Sequence, residues 1–375
     1  MFDRRLIENW DWILLLLLLL LAAISIFNLY SATYQVREMG GSQVFVKQIY
    51  WYLIGFVVFF TMTTFNYYIL QQLAYPAYFV AVILLIIVLV TGKATSGSQR
   101  WISLGPLSFQ VSEMAKIAVV LVLAKFFSEG NRFQEYNWRD LLQPLALIAI
   151  PAFLILKEPD LGTTLHLVAA ALSMILFVKI DWKSMVILAI PALAAAPFIW
   201  LRLKTYQQAR ILTFLRPDMD PLGAGYHINQ SKIAIGSGQF WGKGYLQGTQ
   251  TRLNFLPEQH TDFAFSVLAE EWGFSVSLAL LLIYLMLILW GLNIAKDAKN
   301  KFGSLLAVWI IAVVFWQVVI NVGMVTGLLP VVGIPLVLFS YGGSSLVTTM
   351  GAMGLLMNIS MRRFMFSEGA GLPKK

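Results

Sequence analysis

The sequence contains no cysteine and only 3 histidines in 375 residues, and charged residues make up only 12% of it. The absence of cysteine excludes disulfides, thiolate metal sites and cysteine nucleophiles. The histidines lie far apart in the sequence, so none has the H-x-x-x-H spacing of a zinc site, and no G-x-S-x-G motif supports a serine hydrolase. The scarcity of charge excludes an ordinary soluble domain.

What the sequence has instead is apolar residues, which make up 59% of it. A membrane-spanning helix needs about 20 of them in succession. The apolar runs predict an all-α, polytopic membrane protein with about ten transmembrane helices. The predicted spans are 12–32, 48–65, 74–92, 112–128, 142–157, 161–178, 183–202, 263–294, 304–326 and 335–360.

The net charge of +8 indicates membrane orientation, not nucleic-acid binding, because lysine and arginine are unevenly distributed between alternate short loops. One side of the membrane would hold Arg4, Arg5, Lys125, Arg132, Arg139, Lys179, Lys183, Lys296, Lys299, Lys301, Arg362, Arg363, Lys374 and Lys375. The short loops of the other side would hold Arg37, Lys47, Lys93, Arg100 and Lys157. The positive-inside rule therefore predicts that both termini are cytoplasmic.

A long loop, residues 203–262, joins the seventh and eighth predicted helices on the outer face, and it is too long to be a simple connector. Basic residues in and beside it outnumber acidic ones, which suits a phosphate-bearing lipid headgroup or, alternatively, a solvated loop that touches phospholipid. Its glycine-rich stretch IGSGQFWGKG (235–244) lacks the G-K-[ST] ending of a nucleotide-binding loop. The basic residues are Arg202, Lys204, Arg210, Arg216, Lys232, Lys243 and Arg252, and the acidic ones are Asp218, Asp220, Glu258 and Asp262.

Ionisable side chains at membrane depth cost about 2.5–3.5 kcal/mol each on insertion scales, so each needs a reason. Glu113 and Lys116 are three residues apart, which predicts an ion pair that either clamps helices together or contacts substrate. Asp160 precedes the sixth span, where it would cap that helix or hold a basic partner or a cation. Of Glu270 and Glu271, one should pair with a basic group or form a cavity floor.

Asp262 lies near His260 where the long loop becomes an apolar helix. It is either a helix cap or a carboxylate that faces a cavity and accepts a proton from a sugar hydroxyl. Residues 321–345 interrupt apolar helix with glycine and proline, and such backbone is tolerated at membrane depth where it lines a cavity. We therefore expect a cavity that opens outward, although a transporter would show the same feature.

Five motifs make the sequence resemble the SEDS family (shape, elongation, division and sporulation) over nearly the whole chain. Within them, the stretches GTQT (248–251) and LPEQHTDF (256–263) favour its elongation-type members over its division-type members. The motifs are SGSQRWISLGPLSFQVSEMAK (96–116), KEPDLGT (157–163), RPDMDPLGAGYHINQSKIAIGSGQFWGKGYLQGTQT (216–251), LPEQHTDFAFSVLAEEWGF (256–274) and GIPLVLFSYGGSS (333–345). The sequence departs from the family at Val111 and Val337, where proline is usual, and at Gln239, where glycine is common.

The resemblance implies one transmembrane domain over residues 1–375, belonging to a peptidoglycan glycosyltransferase of the bacterial cytoplasmic membrane. Such an enzyme polymerises lipid II into glycan strands on the outer face, for cell-wall elongation and rod shape. A class B penicillin-binding protein would be its transpeptidase partner. The essential carboxylate of the family falls on Asp262 and its important tryptophan on Trp101. Further expected substrate-binding or cavity residues are Arg100, Glu113, Lys116, Asp160, Arg210, Lys232, His260 and Ser340.

The mechanism implied is an inverting single displacement with Asp262 as general base. Arg100, Lys116, Lys232 or Arg210 would supply positive charge at the departing pyrophosphate, with no organic cofactor but with a divalent cation such as Mg²⁺ or Mn²⁺. Two alternatives stay open, a lipid II flippase and a membrane scaffold for the penicillin-binding protein. Clustering of the candidate groups on the outer side favours the enzyme.

Overall fold

The computed structural model describes residues 9–34, 43–91, 93–95, 98–104, 107–130, 135–216, 224–253, 255–256 and 258–363. The elements in chain order are α1 (Trp12–Ala32), α2 (Val44–Thr64), α3 (Tyr68–Thr91), β1 (Lys93–Thr95), β2 (Ser98–Leu104), β3 (Leu107–Gln110), α4 (Val111–Glu129), α5 (Trp138–Lys157), α6 (Leu161–Phe177), α7 (Trp182–Arg202), α8 (Thr205–Leu215), α9 (Ala224–Ser237), α10 (Thr249–Arg252), α11 (Ala264–Lys296), α12 (Lys301–Thr326) and α13 (Gly343–Arg362).

Ten of the helices in the described residues, α1–α7 and α11–α13, overlap the ten predicted spans in order. Six of them, namely α1, α2, α3, α5, α11 and α12, are long and apolar enough to cross a membrane. Among the other four, α6 has only 17 residues and α4 carries buried charged residues. The prediction of an all-α membrane protein is confirmed, and burial inside the bundle explains why α4 tolerates charged groups.

Helix α12 is the centre of the bundle. It packs against α4, α6, α9, α11 and α13. Most of its residues are buried, and its interior side chains are almost all aliphatic or aromatic. A helix that is apolar on every side is stable only when other helices or lipid surround it. The cavity described below therefore has a rigid wall on the α12 side.

Helices α2 and α13 pack closely because glycines lie between them. A Cβ atom on Gly354 would lie 2.5 Å from the carbonyl oxygen of Phe59, and one on Gly55 would lie 2.9 Å from Leu346 Cδ2. Small residues at such contacts let helix backbones approach, which is how helices gain packing energy in a membrane. This contact holds the N-terminus of α13 in place.

A small antiparallel sheet, in the order β1-β2-β3, follows α3 and was not predicted from the sequence. Its strands have three, seven and four residues, which is too short for a clear alternating pattern. Strand β3 runs directly into α4, so its last residue, Gln110, is also the N-cap of that helix. The sheet thereby fixes the entry into α4.

The long loop between α7 and α11 contains three short helices, α8, α9 and α10. We call the end of the bundle that carries this loop the loop end. The acidic residues Asp218 and Asp220, counted in its predicted charge, lie outside the described residues. Six basic residues on which the predicted orientation partly depends also lie outside them, namely Arg4, Arg5, Arg37, Arg132, Lys374 and Lys375.

Helix α11 is broken at Gly273, which has φ 72° and ψ −168°. Residues 238–250, here called the inserted loop, satisfy the backbone groups that the break exposes. The amides of Phe274 and Ser275 donate to the carbonyls of Gln239 and Phe240, at 2.9 and 3.1 Å. In the other direction, the amides of Lys243 and Gly244 donate to carbonyls of the first half of α11, at 3.1 and 2.9 Å. The first half of α11 is therefore held by the inserted loop as much as by its own helix.

Gln239 shows what one departure from the family pattern does to the backbone. Its φ is 50°, in the left-handed region where glycine is favoured. The residue keeps this conformation because its carbonyl accepts the amide of Phe274 at the break in α11.

The last predicted span, 335–360, began too early. Helix α13 starts only at Gly343, and residues 327–342 form an irregular segment instead. Gly327, Gly333 and Leu338 in this segment have positive φ values of 76°, 73° and 54°. Apolarity alone suggested a helix, but glycine and proline at this position end α12 and delay α13.

At the end of the bundle opposite the loop end, the Asp11 carboxylate joins three helices. It caps α1 by accepting the amide of Leu14 at 3.1 Å, and it also accepts the indole N–H of Trp290 at 2.9 Å. The hydroxyl of Ser360 donates to its other oxygen at 2.8 Å. This buried carboxylate thereby links α1 to α11 and α13, which lie far from it in the sequence.

Candidate active site

A cavity of about 290 Å³ lies where three helices begin, α4, α6 and α13. The irregular segment and the turn before α11 complete its wall. Helix N-termini present amide N–H groups and positive partial charge, so their convergence favours a negatively charged ligand. The lining residues are Gln110, Glu113, Lys116, Asp160, Thr163, His166, Thr261, Asp262, Gln317, Gly333, Ile334, Pro335, Tyr341, Gly342, Ser344 and Ser345.

Asp262 lies in the turn before α11 and borders the cavity. Its carbonyl oxygen accepts the side-chain amide of Asn321 at 2.9 Å, and the same amide donates to the carbonyl of Ile334 at 2.7 Å. A Cβ atom on Gly333 would lie 3.3 Å from Asp262 Oδ2, so the missing side chain there leaves room for the carboxylate. The backbone of Asp262 is therefore fixed by α12 while its carboxylate faces open space.

Asp262 does not cap α11. The N-cap of that helix is Phe263, and no side chain makes a capping hydrogen bond there. The alternative that Asp262 caps the helix is therefore wrong. The other alternative, a carboxylate that faces a cavity, agrees with its position.

The environment of Asp262 favours its protonated form more than water does. Burial, and to a smaller extent the negative charge of Glu258, raise the pKa of Asp262 to about 6, although the positive charge of Arg210 partly offsets both. A carboxylate with a pKa near the working pH is a better proton acceptor than an ordinary aspartate, while most of it is still unprotonated at pH 7.

Glu113 and Lys116 form the ion pair that their spacing predicts, with 2.8 Å between Glu113 Oε1 and Lys116 Nζ. Both are buried, both lie in the first turns of α4, and both border the cavity. The pair therefore fits both alternatives from the sequence, because Lys116 also contacts His166 of α6 and both residues face the space that a substrate would occupy.

His166 is a cavity residue that the sequence analysis did not find. It lies on α6, is only 2% exposed, and its Nδ1 is 3.4 Å from Lys116 Nζ. The sequence around this single histidine on an apolar helix showed only that it is unsuited to a zinc site, and it did not predict a place in a cavity. Only the packing of α6 against α4 brings it to the lysine.

Asp160 is the N-cap of α6, as one of its two predicted roles requires. Its carboxylate accepts the amide of Thr163 at 3.0 Å and the hydroxyl of Thr163 at 2.9 Å. It also accepts the side-chain amide of Gln110 at 3.3 Å, which links the starts of α6 and α4. The capping role and the cavity position therefore coexist.

Arg100 and Trp101 lie in β2, where Trp101 is paired in register with Gln110. Because Gln110 borders the cavity, this register puts the backbone of Trp101 beside the cavity rim. The side chains of Arg100 and Trp101 lie outside the described part of the structure.

Two other predicted basic residues have different positions. Arg210, on α8, is near enough to Asp262 for its charge to lower the pKa of that carboxyl. Lys232, on α9, is exposed and lies across Gly327, where a Cβ atom would be 2.1 Å from its Cε and 2.5 Å from its Nζ. Lys232 thus lies at the C-terminal end of α12, where a cation interacts favourably with the helix dipole, and it does not line the described cavity.

His260 and Ser340 are next to the cavity but do not line it in the described structure. The carbonyl of His260 accepts the amide of Tyr341 at 2.9 Å, and burial lowers the pKa of its imidazole while Glu258 partly offsets this. The hydroxyl of Ser340 accepts the amide of Leu336 at 3.0 Å. Ser340 therefore stabilises the irregular segment, whereas Tyr341 borders the cavity.

Several polar residues that support the site were not predicted from the sequence. Gln110, Thr163 and Gln317 border the cavity, and Asn321 holds the backbone of Asp262. Gln110 and Thr163 belong to motifs quoted above, so their position was available as a signal. Gln317 and Asn321 are polar residues inside the apolar run of α12, and such residues are rare enough to be noticed.

Within the described residues, no group of three or more His, Asp or Glu side chains could hold a metal ion. The residues present therefore do not form a metal site of their own, and the expected Mg²⁺ or Mn²⁺ stays a prediction. Magnesium can be bound by one or two carboxylates together with substrate phosphates. No step below depends on a cation.

Comparisons with known proteins place the chain in a family. The family model for FtsW, RodA and SpoVE, described as cell cycle protein, matches residues 11–364. Peptidoglycan glycosyltransferase MrdB of Escherichia coli K12 is 42% identical over 324 residues, which cover 84% of this chain and 85% of that protein. Peptidoglycan glycosyltransferase RodA of Treponema pallidum is 32% identical over 429 residues, which cover 95% and 99%.

Solved structures show the same fold. A chain from a study of how a peptidoglycan synthase complex coordinates polymerization and crosslinking has a TM-score of 0.81 and 31% identity, and the match covers 95% of this chain and 98% of that one. The crystal structure of Thermus thermophilus rod shape determining protein RodA has a TM-score of 0.70 and 27% identity, with coverage of 95% and 98%. Together with the apolar helices, these relatives indicate a bacterial inner-membrane protein. The chain belongs to the FtsW/RodA/SpoVE family, the SEDS proteins.

Proposed function

We propose that this chain is a peptidoglycan glycosyltransferase that polymerises lipid II for cell-wall elongation. The names of the relatives in Escherichia coli and Treponema pallidum support the activity. The observation that carries the proposal is the Asp262 carboxylate, whose pKa is raised to about 6 and which faces a cavity bordered by three helix N-termini. The cavity would open to the outer face of the membrane, with both chain termini in the cytoplasm.

In the proposed reaction, the 4-hydroxyl of an acceptor sugar attacks the anomeric carbon of a lipid-linked donor. Asp262 accepts the proton of that hydroxyl as the new glycosidic bond forms. The bond to undecaprenyl pyrophosphate breaks in the same step, which inverts the anomeric configuration. General-base assistance of this kind contributes about 10²–10⁴-fold to the rate.

The departing pyrophosphate needs positive charge, and the cavity offers two sources. Lys116 supplies a formal charge at the start of α4. The N-terminus of α13 supplies dipole charge, because its N-cap is Gly342 and its first turn contains no acidic residue. The starts of α4 and α6 differ, since Glu113 and Asp160 already occupy them. We therefore expect the pyrophosphate between Lys116 and α13.

The test is polymerisation of purified lipid II by the chain together with its proposed class B penicillin-binding partner, compared with transport of lipid II in liposomes. An enzyme produces glycan strands, and Asp262→Asn abolishes them while the variant still binds the partner in a pull-down. Transport without strand formation would instead support a flippase. Loss of partner binding in the Asp262→Asn variant would support a scaffold.

A further inference from the structure

His166 has no part in the reaction as described, although it is among the most buried polar residues of the cavity wall. It lies on α6, six residues beyond the Asp160 cap, and it is 2% exposed. A buried imidazole needs partners for both ring nitrogens. Both partners are present, and together they define what the ring does.

The two contacts of His166 fix which ring nitrogen carries the hydrogen. Nε2 is 2.9 Å from the carbonyl oxygen of Val313, which can only accept, so Nε2 must donate. Nδ1 is 3.4 Å from Lys116 Nζ, which can only donate, so Nδ1 must accept. The ring is therefore the neutral Nε2–H tautomer, anchored to the backbone of α12 and presenting a lone pair to the lysine.

This lone pair changes how Lys116 is held. The ammonium group has three N–H donors, of which one is directed to Glu113 Oε1 at 2.8 Å and a second to His166 Nδ1. Glu113 alone would leave the ammonium free to rotate about a single contact. With His166 as a second, uncharged acceptor, the group is fixed on two sides and its third N–H is left for the cavity that Lys116 borders.

We propose that His166 is a positioning residue that aims the Lys116 ammonium at the pyrophosphate of the lipid-linked donor. The neutral imidazole contributes direction without adding charge, whereas a second carboxylate beside Glu113 would make the cluster net negative. This inference rests on the proposed function for the identity of the ligand. The contact geometry that supports it is independent of the reaction.

Binding of undecaprenyl pyrophosphate tests the proposal, because this probe carries the leaving group but cannot be polymerised. In His166→Asn, the side-chain Oδ1 replaces Nδ1 as the acceptor for Lys116. In His166→Gln, the side-chain Nε2 replaces the donor to Val313 but the acceptor beside Lys116 is withdrawn. We expect His166→Gln to weaken probe binding about five- to tenfold, as for the net contribution of one typical hydrogen bond, and His166→Asn to restore it to within about twofold of wild type.

A double-mutant cycle with Lys116→Met separates positioning from general packing. In the Lys116→Met background, His166→Gln should cause no further weakening, because there is no ammonium left to aim. Equal effects of His166→Asn and His166→Gln, or the same additional loss in both backgrounds, would overturn the proposal. Because probe binding needs no polymerisation, this pattern can hold even if the chain forms no glycan, in which case only the proposed function fails.

Thermal unfolding of each variant provides the control for folding. Each variant keeps one of the two contacts of His166, the one with Val313 in His166→Gln and the one with Lys116 in His166→Asn, so their Tm values should be similar. Weaker probe binding by His166→Gln at equal Tm is the result that a purely structural histidine would not give.

Discussion

Two Glu–Lys pairs with buried carboxylates lie toward the loop end of the bundle, and they differ in what surrounds them. Glu113 and Lys116 are 2.8 Å apart and border the cavity, with His166 as a third member. Glu270 and Lys243 are 2.7 Å apart and do not border it in the described structure. The same pair of residue types can therefore serve a site in one place and a scaffold in another.

The difference lies in how much hydrogen-bonding capacity each ion pair has left. Glu270 accepts Lys243 Nζ, the hydroxyl of Thr249 at 3.1 Å and the amide of Gln250 at 3.0 Å, so the inserted loop saturates it. Lys116 instead has a donor left for the cavity. A saturated pair stabilises structure, whereas a pair with spare hydrogen-bonding capacity beside a cavity can bind a ligand.

The largest effect is expected from removing the saturated carboxylate. Glu270→Ala should lower the free energy of unfolding by about 3 kcal/mol, the low end for breaking a buried ion pair, because Lys243 can still turn toward solvent. Thermal unfolding in detergent measures this. The matched control is Glu129→Gln on the surface pair with Lys125, which is 3.8 Å long and should change stability by less than about 1 kcal/mol. Equal changes in the two variants would contradict the scaffold role of Glu270.

Replacing Lys116 and replacing Lys243 should have different effects on lipid II polymerisation. Lys116→Met is expected to lower lipid II polymerisation about 100-fold, because positive charge at the departing pyrophosphate is lost, while the chain stays folded. Lys243→Met should lower Tm with a much smaller loss of activity. Both are measured as glycan formation per folded protein. A larger activity loss for Lys243→Met would reverse the assignment of the two pairs.

The pH dependence of the reaction should report Asp262. Because a general base must be unprotonated, the rate should rise about tenfold per pH unit up to pH 6 and then level off. Stability changes in the opposite sense. Folding raises the pKa of this carboxyl from 3.8 to about 6, so the folded chain holds the proton more tightly and this group's contribution to stability falls across that interval. A rate that is flat between pH 5 and pH 7 would exclude Asp262 as the base.

A smaller effect is expected at Gly333, whose φ is 73° and where a Cβ atom would lie 3.3 Å from Asp262 Oδ2. Gly333→Ala should lower the polymerisation rate about fivefold, through backbone strain and displacement of the carboxylate. The control is Gly236→Ala, because a Cβ atom there meets nothing within 4 Å. If both variants keep full activity, the space beside Asp262 is not required.

Much of the fold could be predicted because the thickness of the bilayer fixes how many apolar residues a membrane-spanning helix needs. The ten spans and the Glu113–Lys116 pair follow from run length and helical spacing. The break at Gly273 and the sheet β1-β2-β3 could not be predicted, because they depend on contacts with the inserted loop and on short strands. Local sequence cannot show which distant backbone groups will satisfy a broken helix.

The candidate site was predictable to the extent that motifs marked it. Asp262 stands at a boundary between polar and apolar sequence inside a long motif, so it could be identified. Ser340 also lies in a motif, but its hydroxyl is used by the backbone of Leu336. Lys232 was predicted to line the cavity, but helix packing places it outside the described cavity. His166 was not predicted, and helix packing places it in the cavity wall.

The central claim is that Asp262 is the base of a glycan polymerase, and glycan length on a gel tests it most directly. Purified lipid II would be incubated with the wild-type chain or with Asp262→Asn, each with the class B penicillin-binding partner. The account predicts long strands from the wild type and at least about a 100-fold lower rate from Asp262→Asn, with a Tm no lower than wild type because a costly buried charge is removed. Strands of normal length from a folded Asp262→Asn variant would contradict it.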